Sequence, residues 1–145
     1  MAEGEAGRRG VVERDKDPGI TRPLEGRWLS LFFVDHKDTV RRFIDGAVNG
    51  GRDEVIDEVF APELTGWVRE WFGAFRRSFP DMRMELLELL ADGNTVVGRF
   101  ACSATHLGDW RGHPPTGRRF ERVDEVYFFR FQDGRITHAW ALEDR

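Results

Sequence analysis

The sequence predicts an α+β domain in which N-terminal helices pack over a strongly curved, mainly antiparallel sheet. Three observations carry this expectation. Apolar residues recur at helical spacing between Asp35 and Ser78. From Met82 onward the period shortens to two, as in half-buried strands. Two Asp-Gly pairs, Asp92-Gly93 and Asp133-Gly134, punctuate that second half as hairpin turns. Helices first and strands second is the segregation expected of an α+β layer fold.

The elements follow in chain order. Residues 1–26 are polar and rich in alternating charge, with no apolar period, and are expected to form a disordered tail. The single domain is expected over residues 27–145. The run Arg27 to Val34 is either an edge strand or a segment laid across the domain. Asp35 offers an N-cap, and Val40, Phe43, Ile44, Ala47 and Val48 form the apolar stripe of a first helix ended by Gly50-Gly51. A short second helix spans Asp53 to Phe60 and is closed by Ala61-Pro62. A third is expected from about Gly66 to Ser78, with Trp67, Val68, Trp71, Phe72 and Phe75 on its apolar face. Phe79-Pro80-Asp81 stops it, since proline disfavours helix in the residue before it. The strand beginning at Met82 slips phase at Leu86-Leu87, which predicts a bulge. Strands over Thr95 to Thr105, Phe120 to Phe131 and Arg135 to Leu142 complete the sheet, with a Gly- and Pro-rich loop before the third.

Composition bounds the function classes. A chain of 145 residues suits one domain with a real core. A net charge of −4 gives no basic excess, so no nucleic-acid partner is expected. No apolar run has the length of a membrane span and the N-terminus lacks a signal-peptide core, so the protein is expected to be cytoplasmic, with no membrane partner. Cys102 is the only cysteine, which excludes an internal disulfide and a cysteine metal cluster. Five tryptophans and twelve phenylalanines suit either a dense core or an aromatic-lined pocket.

Several motifs then resemble a known family. They are Phe79-Pro80-Asp81, Thr105-His106-x-Gly108, Gly112-x-Pro114-Pro115-Thr116-Gly117-Arg118 and Phe131-x-Asp133-Gly134-x-Ile136. Together with helices of the expected order over roughly residues 36 to 142, they resemble the SnoaL-like polyketide cyclases of the nuclear-transport-factor-2-like superfamily. The resemblance implies a cone-shaped α+β barrel whose helices close one end over an apolar pocket, and often a homodimer through the sheet. It implies a small aromatic or polyketide-like ligand. The name-giving cyclases close a ring by an intramolecular aldol step, with no metal, cofactor or Schiff base. Relatives include ring-hydroxylation factors, epoxide hydrolases, pyran-forming cyclases and plain binding modules.

Carried over by position, the resemblance puts the family's catalytic aspartate after the last-strand aromatic. Here Trp140 is followed by Ala141, which transfers no proton. The family's polar pocket groups on the penultimate strand fall at Glu125 and Tyr127, and its histidine before the loop at His106. The segment after Ala61-Pro62 is shorter than the family's usual loop.

Strand alternation places Val123, Glu125, Tyr127 and Phe129 on one face, and Ala139, Ala141 and Glu143 share the pocket face of the last strand. Glu125 is therefore the expected general acid/base, because burial in an apolar pocket raises a carboxyl pKa toward neutrality. Tyr127 or His106 would hold the substrate oxygen. The structural alternatives are that Glu125 pairs with an arginine, that Glu143 is a solvated terminal residue and that His106 pins the loop through a hydrogen bond. Trp67, Trp71, Phe75, Phe129, Ala141 and Glu143 are the expected substrate-contacting set. Arg118 and Arg119 either reach a substrate carboxylate or are solvated. His106, Asp109 and His113 match no compact ligand spacing, so no metal is expected. The epoxide-hydrolase pattern needs an Asp-Arg-Asp group around a water, of which Arg99 and Asp124 supply only part.

Overall fold

A computed structural model of the chain describes residues 35–143. The expected tail, the apolar run Arg27 to Val34 and the side chain of Glu143 lie outside the described residues. Within them the architecture is α+β. Helix α1 (His36–Arg42) continues into a π-helical segment (Phe43–Val48). Helices α2 (Glu54–Val59) and α3 (Pro62–Ser78) follow. Strands β1 (Arg83–Asp92), β2 (Thr95–Thr105), β3 (Arg119–Gln132) and β4 (Arg135–Glu143) form one antiparallel sheet in the order β1-β2-β3-β4.

Two helix details depart from the sequence expectation. Pro62 does not close α2; it is the first residue of α3, where its missing N–H is no loss and its fixed φ suits a helix. The third helix therefore starts four residues before Gly66. The first helix widens at its end, where Asn49 N–H donates to the Ile44 carbonyl five residues back (2.8 Å). The Asn49 side chain then ties this end to β1, donating to the Met84 carbonyl (2.7 Å) and accepting the Met84 N–H (2.8 Å).

The strands match the pattern. The β1–β2 register shifts between Leu86 and Glu88, the expected bulge. Asp133 (φ 52°) and Gly134 (φ 77°) are both left-handed, which makes the β3–β4 connection a type I′ hairpin between Gln132 and Arg135. The inner face of the sheet carries the core. Val40, Phe43, Ile44, Ala47, Val55, Ile56 and Val59 from the first two helices pack on Val96, Phe100, Phe129, Phe131 and Ile136. Phe43 is the centre of its aromatic part, edge-on to Phe60, Phe72 and Phe129.

Candidate active site

The inner face changes character toward the far end of the strands. There α3 arches over the sheet without filling the space beneath it, and a cavity of about 380 Å³ opens. Trp71, Phe72 and Phe75 of α3, with Phe79 just beyond it, line one side. Met82, Met84 of β1, Cys102 of β2, and Phe120, Val123, Glu125 and Tyr127 of β3 line the other. Trp110 and Arg111 of the loop between β2 and β3 complete the lining. A volume of this size lies at the lower end of the roughly 300–1,000 Å³ typical of small-molecule sites.

The rings of α3 pack on one another rather than plugging the space. Trp71 and Phe75 stack at 5.3 Å with planes 9° apart, and Phe75 stacks on Phe79 at 4.6 Å. Trp110 stands edge-on to Trp71, Phe75 and Phe79. Its position follows from how the loop is built. The Ser78 carbonyl at the end of α3 accepts the N–H groups of Leu107 (2.9 Å) and Gly108 (3.1 Å), and the Ser78 hydroxyl donates to the Asp109 carbonyl. Gly108 lies so close to α3 that a Cβ there would meet the Arg77 carbonyl oxygen at 2.3 Å. Trp110 and His113 then exchange two backbone hydrogen bonds of 2.9 Å around Arg111 (φ 50°) and Gly112 (φ 82°), a second type I′ turn.

Glu125 is 8% exposed, and the Tyr127 hydroxyl donates to its Oε2 at 2.9 Å. The carboxylate is thereby oriented at the cavity wall, with Tyr127 edge-on to Phe100 and stacked on Phe129. In the strand register Tyr127 faces Ala141 and Glu125 faces Glu143, so the two strands carry these residues on one face as alternation predicts.

The other expected residues are distributed more widely. Trp71 and Phe75 line the cavity, whereas Trp67 is 63% exposed and outside the lining. Phe129 is buried at 1% among core residues and does not reach the cavity. Ala141 is exposed and also outside the lining. His106 is likewise absent from the lining; it stacks on Phe79 at 5.3 Å. Its Nδ1 accepts the Thr116 N–H at 3.3 Å and lies 3.1 Å from the Thr116 hydroxyl, while its main chain pairs with Arg118 and Gly117. His106 thus ties the two ends of the loop together, the structural alternative read from sequence. The other ring nitrogen, Nε2, is buried without a hydrogen-bond partner among the described residues.

Arg119 does not turn to the cavity either. It bonds Asp81 (3.0 Å) and Glu121 (2.7 Å). Asp81 also accepts the hydroxyl and N–H of Thr105, each at 2.7 Å, and these bonds, aided by Arg119, hold its carboxyl below the usual range. Arg99 and Asp124 pair at 3.1 Å on the outer face, away from the cavity, so no epoxide-hydrolase group forms there. Sequence reasoning missed Trp110 and Arg111; the Arg111-Gly112 pair beside an aromatic was the available signal for an exposed I′ turn. Among the described residues no cluster of three metal-ligating side chains occurs, and no helix is long and apolar enough to cross a membrane.

Comparison with known proteins agrees with this fold. The family model for SnoaL-like polyketide cyclases matches residues 38–145. Nogalonic acid methyl ester cyclase of Streptomyces nogalater is 28% identical over 110 residues, covering 62% of this chain and 77% of the relative. Among solved structures, IdmH of Streptomyces antibioticus, a candidate polyketide cyclase, superposes with a TM-score of 0.65 at 26% identity over 77% of this chain and 93% of its own. A SnoaL-like protein of Jannaschia sp. CCS1 superposes at 0.70 with 20% identity, over 75% and 85% of the two chains, and shares the cone fold. AclR of Streptomyces galilaeus, a candidate hydroxylase, superposes at 0.65 with 23% identity, over 75% and 74%. By the family-model match over most of its length, and with the fold to go with it, the chain belongs to the SnoaL-like polyketide cyclase family.

Proposed function

We propose that the protein is a polyketide cyclase that closes a ring by an intramolecular aldol step in this cavity. The observation that carries the reading is the Tyr127–Glu125 hydrogen bond on the wall of an otherwise largely apolar chamber. The Glu125 carboxylate takes a proton from a carbon activated by a neighbouring carbonyl. The resulting enolate carbon attacks a second carbonyl carbon, its electron pair forming the C–C bond while the π pair of the attacked carbonyl moves onto its oxygen. The oxygen then recovers the proton from Glu125 and leaves as a hydroxyl. Substrate and product are isomers, so the step needs neither oxidant nor reductant. Tyr127 holds the carboxyl in one orientation through both transfers. A positioned group that serves as base and then acid contributes about 10²–10⁴-fold in rate.

Ala141 stands where the resemblance expects the family's aspartate. Its strand partner is Tyr127, and Glu125 lies two residues along β3, about 7 Å away. In this reading the proton-transfer group has moved along the sheet rather than been lost. A second part of the proposal concerns assembly. Leu90, Val97, Phe128 and Trp140 are in register across all four strands on the outer face, with Phe128 and Trp140 stacked at 5.0 Å and Leu142 64% exposed. We propose that this row is the contact of a homodimer.

The test is incubation with aromatic polyketide intermediates, read by mass spectrometry and by NMR of the product. A cyclase gives a product of the same mass, or of that mass less one water, with a new C–C bond. Gain of one oxygen would replace this reading with ring hydroxylation, and unchanged recovery of every tightly bound intermediate would leave a binding module.

A further inference from the structure

Among the described residues, two charged side chains line the cavity, and they differ in placement: Glu125 is buried and Arg111 is exposed. Resting on the reading of this cavity as the substrate site, we propose that Arg111 binds a carboxylate carried by the substrate at the cavity rim and so sets which end of the molecule enters first. Three observations support the assignment. Among the described residues Arg111 makes no ion pair, although Asp109 is two residues away and is engaged instead by the Gly112 N–H at 3.0 Å. Its guanidinium lies over the Trp110 ring, 5.0 Å from the centroid, and that ring is itself fixed edge-on against Trp71, Phe75 and Phe79. The donor fork is therefore pre-positioned on the lining rather than free to wander. Third, Arg111 occupies the first left-handed position of its turn, where Asn, Asp or Gly is the unstrained choice. A strained arginine at a cavity edge fits a functional constraint.

The chemistry follows. A planar apolar body slides between the α3 rings and the sheet. Its carboxylate stays at the rim, where the guanidinium offers paired donors to both oxygens. The same carboxylate is repelled from the Glu125 end, because two carboxylates brought together resist joint ionisation. The neutral, reacting end is thereby delivered to Glu125 and Tyr127. Substrates of this chain are then polycyclic or pre-cyclic aromatic acids with the acid group unesterified.

The test uses anthraquinone-2-carboxylate and its methyl ester as probes, titrated calorimetrically at pH 8 and low salt. The wild type is expected to bind the acid about tenfold more tightly than the ester, a preference that shrinks as salt is added. Arg111→Gln should abolish the preference while leaving ester affinity within about twofold, and Arg111→Lys should keep part of it. Arg118→Gln, outside the cavity, should keep all of it. Equal wild-type affinity for the two probes, or a preference that survives Arg111→Gln, overturns the proposal, as does failure of the wild type to bind either probe. Trp71→Ala separates this from the cavity reading: it should weaken both probes alike. If it does so while acid and ester bind equally, only the Arg111 assignment fails; if it weakens neither, the cavity assignment fails with it.

Discussion

The two ends of the same inner sheet face are built differently. At one end Phe129, Phe131 and Val96 meet α1, its π-helical extension and α2 in a filled core, with Val96 and Phe129 at 0% and 1% exposure. At the other end Val123, Glu125 and Tyr127 of the same strand face open volume under α3. The difference lies in the covering side chains. Branched aliphatics such as Val40, Ile44, Val55 and Ile56 interdigitate with the sheet and leave no room. The α3 rings stack face to face and edge to face among themselves, so they pack on one another rather than filling the space against the sheet. In the proposed reading, one half of the sheet serves stability and the other binding.

That division predicts opposite mutational signatures. The largest stability effect should come from the filled end. Phe129→Ala is expected to cost about 3–5 kcal/mol in denaturant unfolding. If it costs no more than Trp71→Ala, the two ends are not energetically distinct. Next comes the joint between them. Gly108→Ala drives a Cβ into the Arg77 carbonyl, and the expected loss is about 1–3 kcal/mol, because only a backbone shift relieves it. Trp110 fluorescence should change with it, and wild-type stability and emission would contradict the anchoring role of Ser78 and Gly108. A third change addresses the opposite surface. Trp140→Glu places charge in the outer row and should halve the mass seen by sedimentation while leaving cavity binding intact. An unaltered sedimentation mass would remove that row as the dimer contact.

The smallest effect concerns the rim. Asp81 has a depressed pKa, so its contribution is fully present above the unfolded value near 4 and disappears as pH falls through the lower folded value. Its side chain is 41% exposed, so solvent screens the pair with Arg119. Asp81→Asn should therefore lower stability at pH 7 by about 1 kcal/mol or less and flatten the loss of stability between pH 5 and pH 3. An acid limb identical to wild type would assign that limb to other carboxylates.

Much of the fold was legible in the chain. The β1 bulge announced itself because Leu86-Leu87 breaks a period of two, and Asp133-Gly134 is a dipeptide that accepts two left-handed residues. Pro62 misled because proline both ends one helix and begins another, and the neighbouring Ala61 gives no cap signal. The π-helical end of the first helix left no mark, since its apolar spacing also fits an ordinary helix. Glu125 and Tyr127 could be placed on the cavity-facing side of β3 because strand alternation fixes a face. Trp67 lies exposed outside the cavity lining although it belongs to the predicted apolar stripe of α3, because the described residues cover only part of that stripe. Trp110 and Arg111 sit in a loop with no period, and their positions depend on Ser78 and Gly108 contacts made across the fold.

The open end is proposed to be a reaction chamber whose proton carrier is Glu125. This proposal is tested most directly by Glu125→Gln, assayed by steady-state kinetics on a ring-closing substrate together with thermal unfolding. Glutamine keeps the shape and can still accept the Tyr127 hydroxyl, so the melting temperature and KM should change little while kcat falls by about 10²-fold or more. Full turnover by a folded Glu125→Gln protein would contradict the claim.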